Sequence, residues 1–370
     1  MSRPTAFTLE QSAREAILLP ALRELVEYHR SNCTEYRRIL DALGHQSHRK
    51  YHHVSDLPWL PVGLFKHHTI RSIAEQDVFR VLTSSGTTGV KSRIHLDREA
   101  AATQQRALVA TLRTVAGSRR LPMLVVDTKA LLRERGPVSA RAAGVLGMMS
   151  IGRDHTFVLD ERNQPDGGAV ESFLRTYGHQ PFLIFGFTFM VWIHLFELAV
   201  GRRFDLANGI LIHSGGWKKL SDLAVDNSEF RRRFGAETGL RRIHNFYGMV
   251  EQMGTLFLEG PSGGYLYCPD FADVLIRDPS TWQVAPVGSP GVVEVVSTLP
   301  LSYPGHAVLT EDVGVVHGVD DGDWPGKRFT VTGRVPRTGS RGCADTEGVV
   351  PDAAATKVPR AGRDRADAGG

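Results

Sequence analysis

The sequence has 370 residues, of which 42% are hydrophobic and 23% are charged, the proportions of a globular protein and not of a disordered or fibrous one. Its 44 basic and 40 acidic side chains leave a formal charge of only +4. The basic runs are short and scattered, so we expect no nucleic-acid-binding face. Three cysteines are too few and too far apart for a disulfide framework or a zinc site, and they favour a cytoplasmic, reducing location.

The chain opens with a pattern typical of helices over residues 8–44, where Leu18, Leu22 and Leu25 recur at helical spacing. No apolar leader precedes this region, so we expect no signal peptide. The most apolar stretch, residues 182–200, contains His194 and Glu197. We predict a buried strand followed by a core helix there, and no membrane span, because charge inside a bilayer is costly.

Short apolar strands alternate with helices in the central part of the chain. The predicted strands are residues 78–82, 123–126, 182–185 and 210–212. This alternation predicts the α/β class, with a parallel-rich sheet covered by helices and ligand sites beyond the carboxyl ends of its strands. After residue 260, glycine and proline turns split short strands, which predicts a β-rich C-terminal part. Residues 344–370 lack Leu, Ile, Phe, Tyr and Trp, and we predict a disordered tail.

A loop rich in hydroxyl groups follows the first predicted strand. Its residues are Ser84, Ser85, Gly86, Thr87, Thr88 and Gly89. Such a loop can turn backbone N–H groups and hydroxyls toward a polyphosphate, and its glycines allow close approach of the backbone. It is not a Walker A loop, because no Gly-Lys-Ser/Thr triplet follows. By composition alone, a polar surface turn remains an alternative.

Four segments together resemble the adenylate-forming superfamily, which includes acyl-CoA synthetases. They are the 84–89 loop, Tyr247-Gly248-Met249-Val250-Glu251, Thr310-Glu311-Asp312 and Gly333-Arg334, in the superfamily's order. The resemblance implies that the loop binds ATP, that Tyr247 and Gly248 lie near the adenine, and that Asp312 holds the ribose, followed by Arg334. It also implies that Glu251 helps to hold Mg²⁺.

Further segments are similar to the LuxE family of acyl-protein synthetases, over residues 55–345. They are Phe65-Lys66, Ser92-Arg93-Ile94, Glu251-Gln252, Ser302-Tyr303-Pro304-Gly305-His306 and Arg341-Gly342-Cys343. This resemblance implies ATP-dependent activation of a carboxylic acid, a long-chain fatty acid in the type proteins. The acyl group is then held as a thioester on a cysteine near the C-terminus and passed to an acyl-CoA-reductase-type partner. An acyl-carrier protein or free coenzyme A remains open as the acceptor, as does a homo-oligomeric state.

Residue chemistry supplies further candidates for the site. Cys343 has Arg341 and Arg334 nearby in sequence, and positive charge lowers a thiol pKa. We expect Cys33 and Cys268 to be inert. Lys91 is a candidate catalytic cation. The candidates for the adenine or acyl pocket follow the strand at 210–212, and His244 is a candidate for the carboxylate pocket. The pocket candidates are His213, Gly215, Gly216 and Trp217.

The sequence also departs from the superfamily pattern. Val250 stands where a threonine is usual, and Lys91 comes one position early. We expect the superfamily's mobile C-terminal domain, with its catalytic lysine, to be absent or reduced. We therefore divide the chain into an N-terminal helical region (1–55), an adenylate-forming domain (56–325), a short segment with Cys343 (326–343) and the tail (344–370). The alternative functions are a carboxylate–CoA ligase of the phenylacetate type and a non-catalytic nucleotide-binding or docking subunit.

Overall fold

The structure, a computed structural model, describes residues 6–84, 90–133, 138–216 and 225–335. It begins with helices α1 (Gln11–Asn32) and α2 (Thr34–Ala42), which confirms the helices predicted over residues 8–44. Leu18, Leu22 and Leu25 are buried, as their spacing predicts. The two helices thus turn one apolar face toward the rest of the chain.

The remaining elements of the first half follow in chain order. They are β1 (Leu60–Pro61), α3 (Leu64–His67), β2 (Arg80–Thr83), β3 (Arg93–Leu96), α4 (Arg98–Ala116), β4 (Leu121–Thr128), β5 (Val138–Ser139), α5 (Ala140–Met149), β6 (Gly152–Leu159), α6 (Gly167–Tyr177) and β7 (Phe182–Phe187). After β7 the chain continues as α7 (Thr188–Met190), a π-helix (Val191–Phe196) and α8 (Glu197–Arg202). This confirms the strand and core helix predicted over residues 182–200. In the described part of the chain, no helix has both the length and the apolar character to cross a membrane.

The second half is richer in strands, as predicted. Its elements are β8 (Gly209–Ser214), α9 (Asn227–Thr238), β9 (Arg242–Tyr247), β10 (Phe257–Glu259), β11 (Leu266–Tyr267), β12 (Ala272–Arg277), β13 (Pro290–Ser297), β14 (Ala307–Val319) and β15 (Lys327–Arg334). The larger sheet of the described residues has the order β12-β13-β14-β15-β11-β10-β9-β8-β7-β4-β6, with β1 beside β14.

The parallel part of this sheet is formed by β6, β4, β7, β8 and β9. Successive side chains of a strand point to opposite faces, and both faces here are covered. Leu124 and Val126 pack in the core cluster that includes Phe173 of α6 and residues of α9. Met123 and Val125 pack in the cluster of α4 and α5. The predicted strands 123–126, 182–185 and 210–212 are confirmed as central neighbours of this helix-covered α/β sheet.

The rest of the sheet is antiparallel from β9 to β12. It shares its core with the N-terminal helices, because Leu18 and Tyr36 pack in the same cluster as Val295 and Val308. The helices of the first 42 residues therefore cover the C-terminal strands.

The strand predicted at residues 78–82 corresponds to β2, but it lies outside the large sheet. It pairs with β3 in antiparallel fashion and with β5 in parallel, in a separate three-stranded sheet. β2 and β3 follow each other directly in the chain, and they pair with Thr83 opposite Arg93. A direct return of this kind gives an antiparallel pair, whereas a parallel pair needs a longer crossover.

Candidate active site

The base of the hydroxyl-rich loop is closed by two hydrogen bonds between serines. The Ser84 N–H donates to the Ser92 carbonyl at 3.2 Å, and the Ser92 N–H donates to the Ser84 hydroxyl at 3.0 Å. Lys91 is exposed beside this closure. The other predicted phosphate-binding residues, Ser85, Gly86, Thr87, Thr88 and Gly89, lie outside the described residues.

Glu251 lies in a short 3₁₀ turn that follows β9, and its side chain is buried. Burial raises the pKa of its carboxyl group. The nearby Ser92 hydroxyl and Lys66 ammonium oppose this rise in pKa, and the charge of Glu311 adds to it. The predicted magnesium ligand thus faces the base of the hydroxyl-rich loop and a cation from the N-terminal part of the chain.

Lys66 connects this carboxylate to a third segment. It lies on α3, and its Nζ is 2.9 Å from Oε1 of Glu311 on β14. The strand β1, which leads into α3, pairs with β14 and so holds α3 close to β14. Residues quoted for the family resemblance therefore converge here from the N-terminal, central and C-terminal parts of the sequence.

Asp312, the predicted ribose ligand, has both carboxylate oxygens engaged. The Tyr247 hydroxyl donates to Oδ2 at 2.6 Å, and Nε of Arg334 is 3.1 Å from Oδ1. Asp312 and Arg334 are opposite each other in the β14–β15 pair. Burial and the Asp312 charge raise the pKa of Tyr247 well above its usual value, so its hydroxyl stays protonated and remains a donor.

Gly248 follows Tyr247 at a close approach of two chain segments. A Cβ at this position would lie 3.2 Å from the Thr255 carbonyl oxygen and 3.1 Å from the Leu256 side chain. A larger residue would therefore displace the backbone that carries Tyr247 and leads to Glu251. Glycine at this position therefore leaves the backbone between Tyr247 and Glu251 undisturbed.

His213 stands at the carboxyl end of β8, where the sheet class places ligands. Its Nδ1 is 2.9 Å from the Thr188 hydroxyl, and its ring stacks on Phe230 with centroids 4.8 Å apart. Burial lowers its pKa to about 3, so the ring is neutral at pH 7. Its Nε2 is buried and has no hydrogen-bond partner among the described residues.

The other described pocket candidates lie just beyond β8 or on the neighbouring strand β9. Gly215 and Gly216 are exposed just beyond β8, and a Cβ on Gly215 would touch the Phe187 ring at 3.6 Å. His244 is buried on β9, where Nδ1 donates to the Glu259 carbonyl at 3.0 Å. Burial lowers the pKa of His244. Trp217 lies outside the described residues.

The two described cysteines are both buried free thiols. Burial raises the pKa of Cys33 and raises that of Cys268 to about 12. A thiol with a raised pKa is a poor nucleophile at neutral pH. Cys343, the predicted acyl carrier, lies outside the described residues.

The oxygen atoms around Glu251 suit magnesium. The Ser92 hydroxyl and the Glu311 charge both influence the Glu251 carboxyl group, and the described residues contain no group of three or more His, Cys, Asp or Glu side chains that could bind a metal ion. Mg²⁺ is often held by one or two carboxylates, with substrate phosphates and water completing its shell. This donor set therefore fits a magnesium ion that arrives with a nucleotide.

Four side chains near Glu251 were not among the predicted site residues. They are Lys66, Ser92, Tyr303 and Glu311. Their positions depend on contacts between distant segments, which residue chemistry in one segment does not reveal. Each lies in a segment that resembles the LuxE family or the adenylate-forming superfamily, and this resemblance was the one signal that could have identified it as a site residue.

Comparison with known proteins decides the family. The profile of LuxE, the acyl-protein synthetase, matches residues 1–348. The chain belongs to the LuxE family. A long-chain-fatty-acid–luciferin-component ligase of Vibrio harveyi is 25% identical over 361 residues, covering 93% of this chain and 90% of that protein. The ligase of the same name from Aliivibrio fischeri is 21% identical over 360 residues, with the same coverage.

Solved structures show the fold of this LuxE-family protein. An open conformation of 2-hydroxyisobutyryl-CoA ligase, in complex with 2-HIB-AMP and CoA, matches with a TM-score of 0.67 and 18% identity. The match covers 89% of this chain and 76% of that one. The fold is that of the adenylate-forming ligases, and the family membership makes the chain a ligase. Family and fold together support activation of an acyl group with ATP.

Proposed function

We propose that this LuxE-family protein activates a long-chain fatty acid as its acyl-adenylate and then transfers the acyl group to the thiol of Cys343. The observation that carries the proposal is the meeting of Ser92, Glu251 and Glu311 with Lys66, on segments that also carry the Tyr247–Asp312 pair. The named substrate of the two Vibrio and Aliivibrio relatives supports the acid class.

The nucleotide is held at two ends of this arrangement. Asp312 accepts the ribose hydroxyls, and for this it exchanges its present bonds to Tyr247 and Arg334. The 84–89 loop binds the β- and γ-phosphates, with Lys91 and Lys66 as nearby cations. Glu251 and Glu311 hold Mg²⁺, which when bound neutralises charge on the phosphates.

The first reaction step requires alignment and charge neutralisation. A carboxylate oxygen of the acid attacks the α-phosphorus of ATP, a new P–O bond forms, and the bond to pyrophosphate breaks. The Lys66 ammonium and the loop donors stabilise the negative charge that moves onto pyrophosphate. The acid enters beside His213, whose neutral ring and buried Nε2 offer a polar contact in apolar surroundings.

In the second step, a thiolate attacks the acyl carbon. A C–S bond forms, the acyl–phosphate C–O bond breaks, and AMP leaves. The raised pKa of Cys33 and of Cys268 argues against both as the nucleophile, which supports the third cysteine of the sequence, Cys343. We also propose that an acyl-CoA-reductase-type protein receives the acyl group from Cys343. For the chain itself we propose the domains 1–55, 56–325, 326–343 and 344–370.

Pyrophosphate exchange tests the first step. Purified protein with Mg²⁺, ATP and a series of long-chain, short-chain and aromatic acids should incorporate labelled pyrophosphate into ATP best with the long-chain acids. Glu251→Gln should lose about a hundredfold in exchange rate, the scale of a lost electrostatic contact in a catalytic site. No exchange with any acid would contradict the proposal. If the acyl thioester forms on free coenzyme A and none forms on the protein, the result would favour the phenylacetate-type alternative.

A further inference from the structure

A buried turn of five residues, 302–306, packs directly under Glu251. We call it the 302–306 turn. Its residues Ser302 and Tyr303 have no exposed surface. This segment is similar to the LuxE family, but it has no role in the proposed function.

The turn contacts the segment of Glu251 from two sides. The Tyr303 hydroxyl donates to the Glu251 backbone carbonyl at 2.8 Å. In the other direction, Nε2 of Gln252 donates to the Gly305 carbonyl at 2.9 Å and to the Val295 carbonyl at 3.0 Å. A Cβ on Gly305 would lie only 2.8 Å from the Glu251 carbonyl oxygen, so the two segments are in tight contact.

The 3₁₀ turn that carries Glu251 has only three residues, Val250–Gln252. The Gln252 N–H donates to the Met249 carbonyl and the Thr255 N–H donates to the Gln252 carbonyl, whereas the Glu251 carbonyl accepts from the Tyr303 hydroxyl. A buried carbonyl without a donor is costly, so the bond from Tyr303 fixes the peptide that follows the Glu251 Cα. The direction of the Glu251 side chain depends on that peptide.

The 302–306 turn also reaches the segment of Lys66. The Phe65 ring, next to Lys66, packs edge-on against the Tyr303 ring at 6.1 Å. The Ser302 carbonyl accepts from the Ser72 N–H at 2.7 Å, and the Ser302 hydroxyl accepts from the Asp97 N–H at 3.2 Å. One turn is thus anchored to both segments whose charges meet at the candidate magnesium site.

We propose that Tyr303 is a positioning residue for the metal-binding carboxylate of Glu251, an inference that rests on the proposed function. Tyr303 bonds to the backbone of Glu251 and is not assigned a contact with the nucleotide or the acid. It acts by holding Glu251 at the angle from which its carboxylate meets the magnesium that accompanies ATP. Loss of the hydroxyl therefore changes the dependence on magnesium more than the affinity for the acid.

Tyr303→Phe removes the hydroxyl and keeps the ring. The Mg²⁺ concentration for half-maximal exchange should rise about fivefold, the effect of one neutral hydrogen bond, while KM for the acid stays unchanged. Binding of Mn²⁺ with ATP, followed by electron paramagnetic resonance without any acid, should weaken by the same factor. Tyr267→Phe is the matched control, because its buried hydroxyl bonds the Asp323 N–H at 2.9 Å. It should change neither quantity.

A double-mutant cycle separates positioning from general loosening. In a Glu251→Gln background, Tyr303→Phe should cause no further change in Mn²⁺·ATP binding. Gln252→Met, which keeps the volume and removes both donated bonds, should shift magnesium dependence in the same direction as Tyr303→Phe. The inference would be overturned if Tyr303→Phe weakened Mn²⁺·ATP binding equally with Glu251 and with Glu251→Gln. It would also be overturned if folded Tyr303→Phe kept the wild-type dependence on magnesium. Wild-type protein without exchange would instead overturn the proposed function.

Discussion

Lys66 and Glu311 form an ion pair of 2.9 Å across 245 positions of the chain. Both side chains are partly exposed, so the pair contributes about 1 kcal/mol or less to stability. Its importance lies in where it stands. Burial raises the pKa of Glu251 and Lys66 opposes that rise, so one ammonium group balances two carboxylates at the candidate magnesium site.

Replacement of Lys66 should therefore harm catalysis more than folding. We expect Lys66→Ala to lower the exchange rate about a hundredfold through lost charge stabilisation, and Lys66→Arg to retain part of it. Urea unfolding should change by about 1 kcal/mol or less. Arg71→Ala, which breaks the exposed pair with Glu75 at 3.2 Å, is the matched control and should leave exchange intact. Comparable exchange in Lys66→Ala and wild type would contradict this role.

The same substitution should shift the pH profile in a defined direction. The pKa of Glu251 is already raised by burial, and Lys66 opposes the rise. An active, ionised Glu251 is lost as pH falls through its pKa. Without Lys66 that pKa rises further, so the acidic limb of the exchange rate should move to higher pH. Titration of the exchange rate in both proteins measures the shift, and a limb at lower pH would refute the assignment.

Asp312 should control nucleotide affinity. Asp312→Asn keeps the size of the side chain and removes the charge that accepts from Tyr247 and that we propose accepts the ribose hydroxyls. We expect KM for ATP to rise about tenfold or more, the scale of a lost hydrogen bond to a charged group. Asp321→Asn breaks the 2.7 Å pair with Arg328 on the neighbouring part of the sheet and serves as the control. Equal KM values for the two variants would argue against a ribose site.

Two stacked buried histidines should make the protein sensitive to acid. The rings of His29 and His306 lie 5.2 Å apart, and burial lowers the pKa of His29 to about 3 and that of His306 well below 6.5. Because the folded-state pKa is depressed, stability is complete above 6.5 and is lost as pH falls below it. Each of the two rings should lower the free energy of unfolding by about 1.4 kcal/mol at about pH 5.5. Urea unfolding at about pH 7.5 and 5.5 measures this loss, and His306→Asn should remove one share of the difference.

The three cysteines should react very differently. Buried Cys33 and Cys268, with their raised pKa values, should resist alkylation in the folded protein. After incubation with ATP and a long-chain acid, mass spectrometry should find a hydroxylamine-sensitive acyl group on Cys343. Cys343→Ser should lose it, whereas Cys33→Ser and Cys268→Ser should keep it. An acyl group on Cys33 or Cys268 would contradict the proposed transfer.

Sequence patterns predicted the elements whose neighbours are local or regular. The runs around Val125, Ile184 and Leu211 are apolar on both faces, which is typical of central parallel strands, and they are adjacent in the sheet. The placement of β2 was not predictable in this way, because it depends on the pairing of Thr83 with Arg93 across the loop.

The candidate site followed the same division. The segments of Glu251 and Asp312 were recognised by their resemblance to known motifs, and their local chemistry is readable in sequence. The contact of Lys66 with Glu311 was not predicted, because the sequence around a lysine does not show which distant carboxylate it pairs with. Tyr303 was hidden for a related reason: its role depends on a backbone carbonyl, which every residue has.

The shared core of α1 and the C-terminal strands has a consequence for synthesis of the chain. Leu18 and Leu22 leave the ribosome long before Val295 and Val308, which belong to the same core. Until then the part of this core that the C-terminal strands cover stays open, which favours chaperone binding or association with other nascent chains. In a protein assembled in this order, this core is complete only after its C-terminal strands have been made.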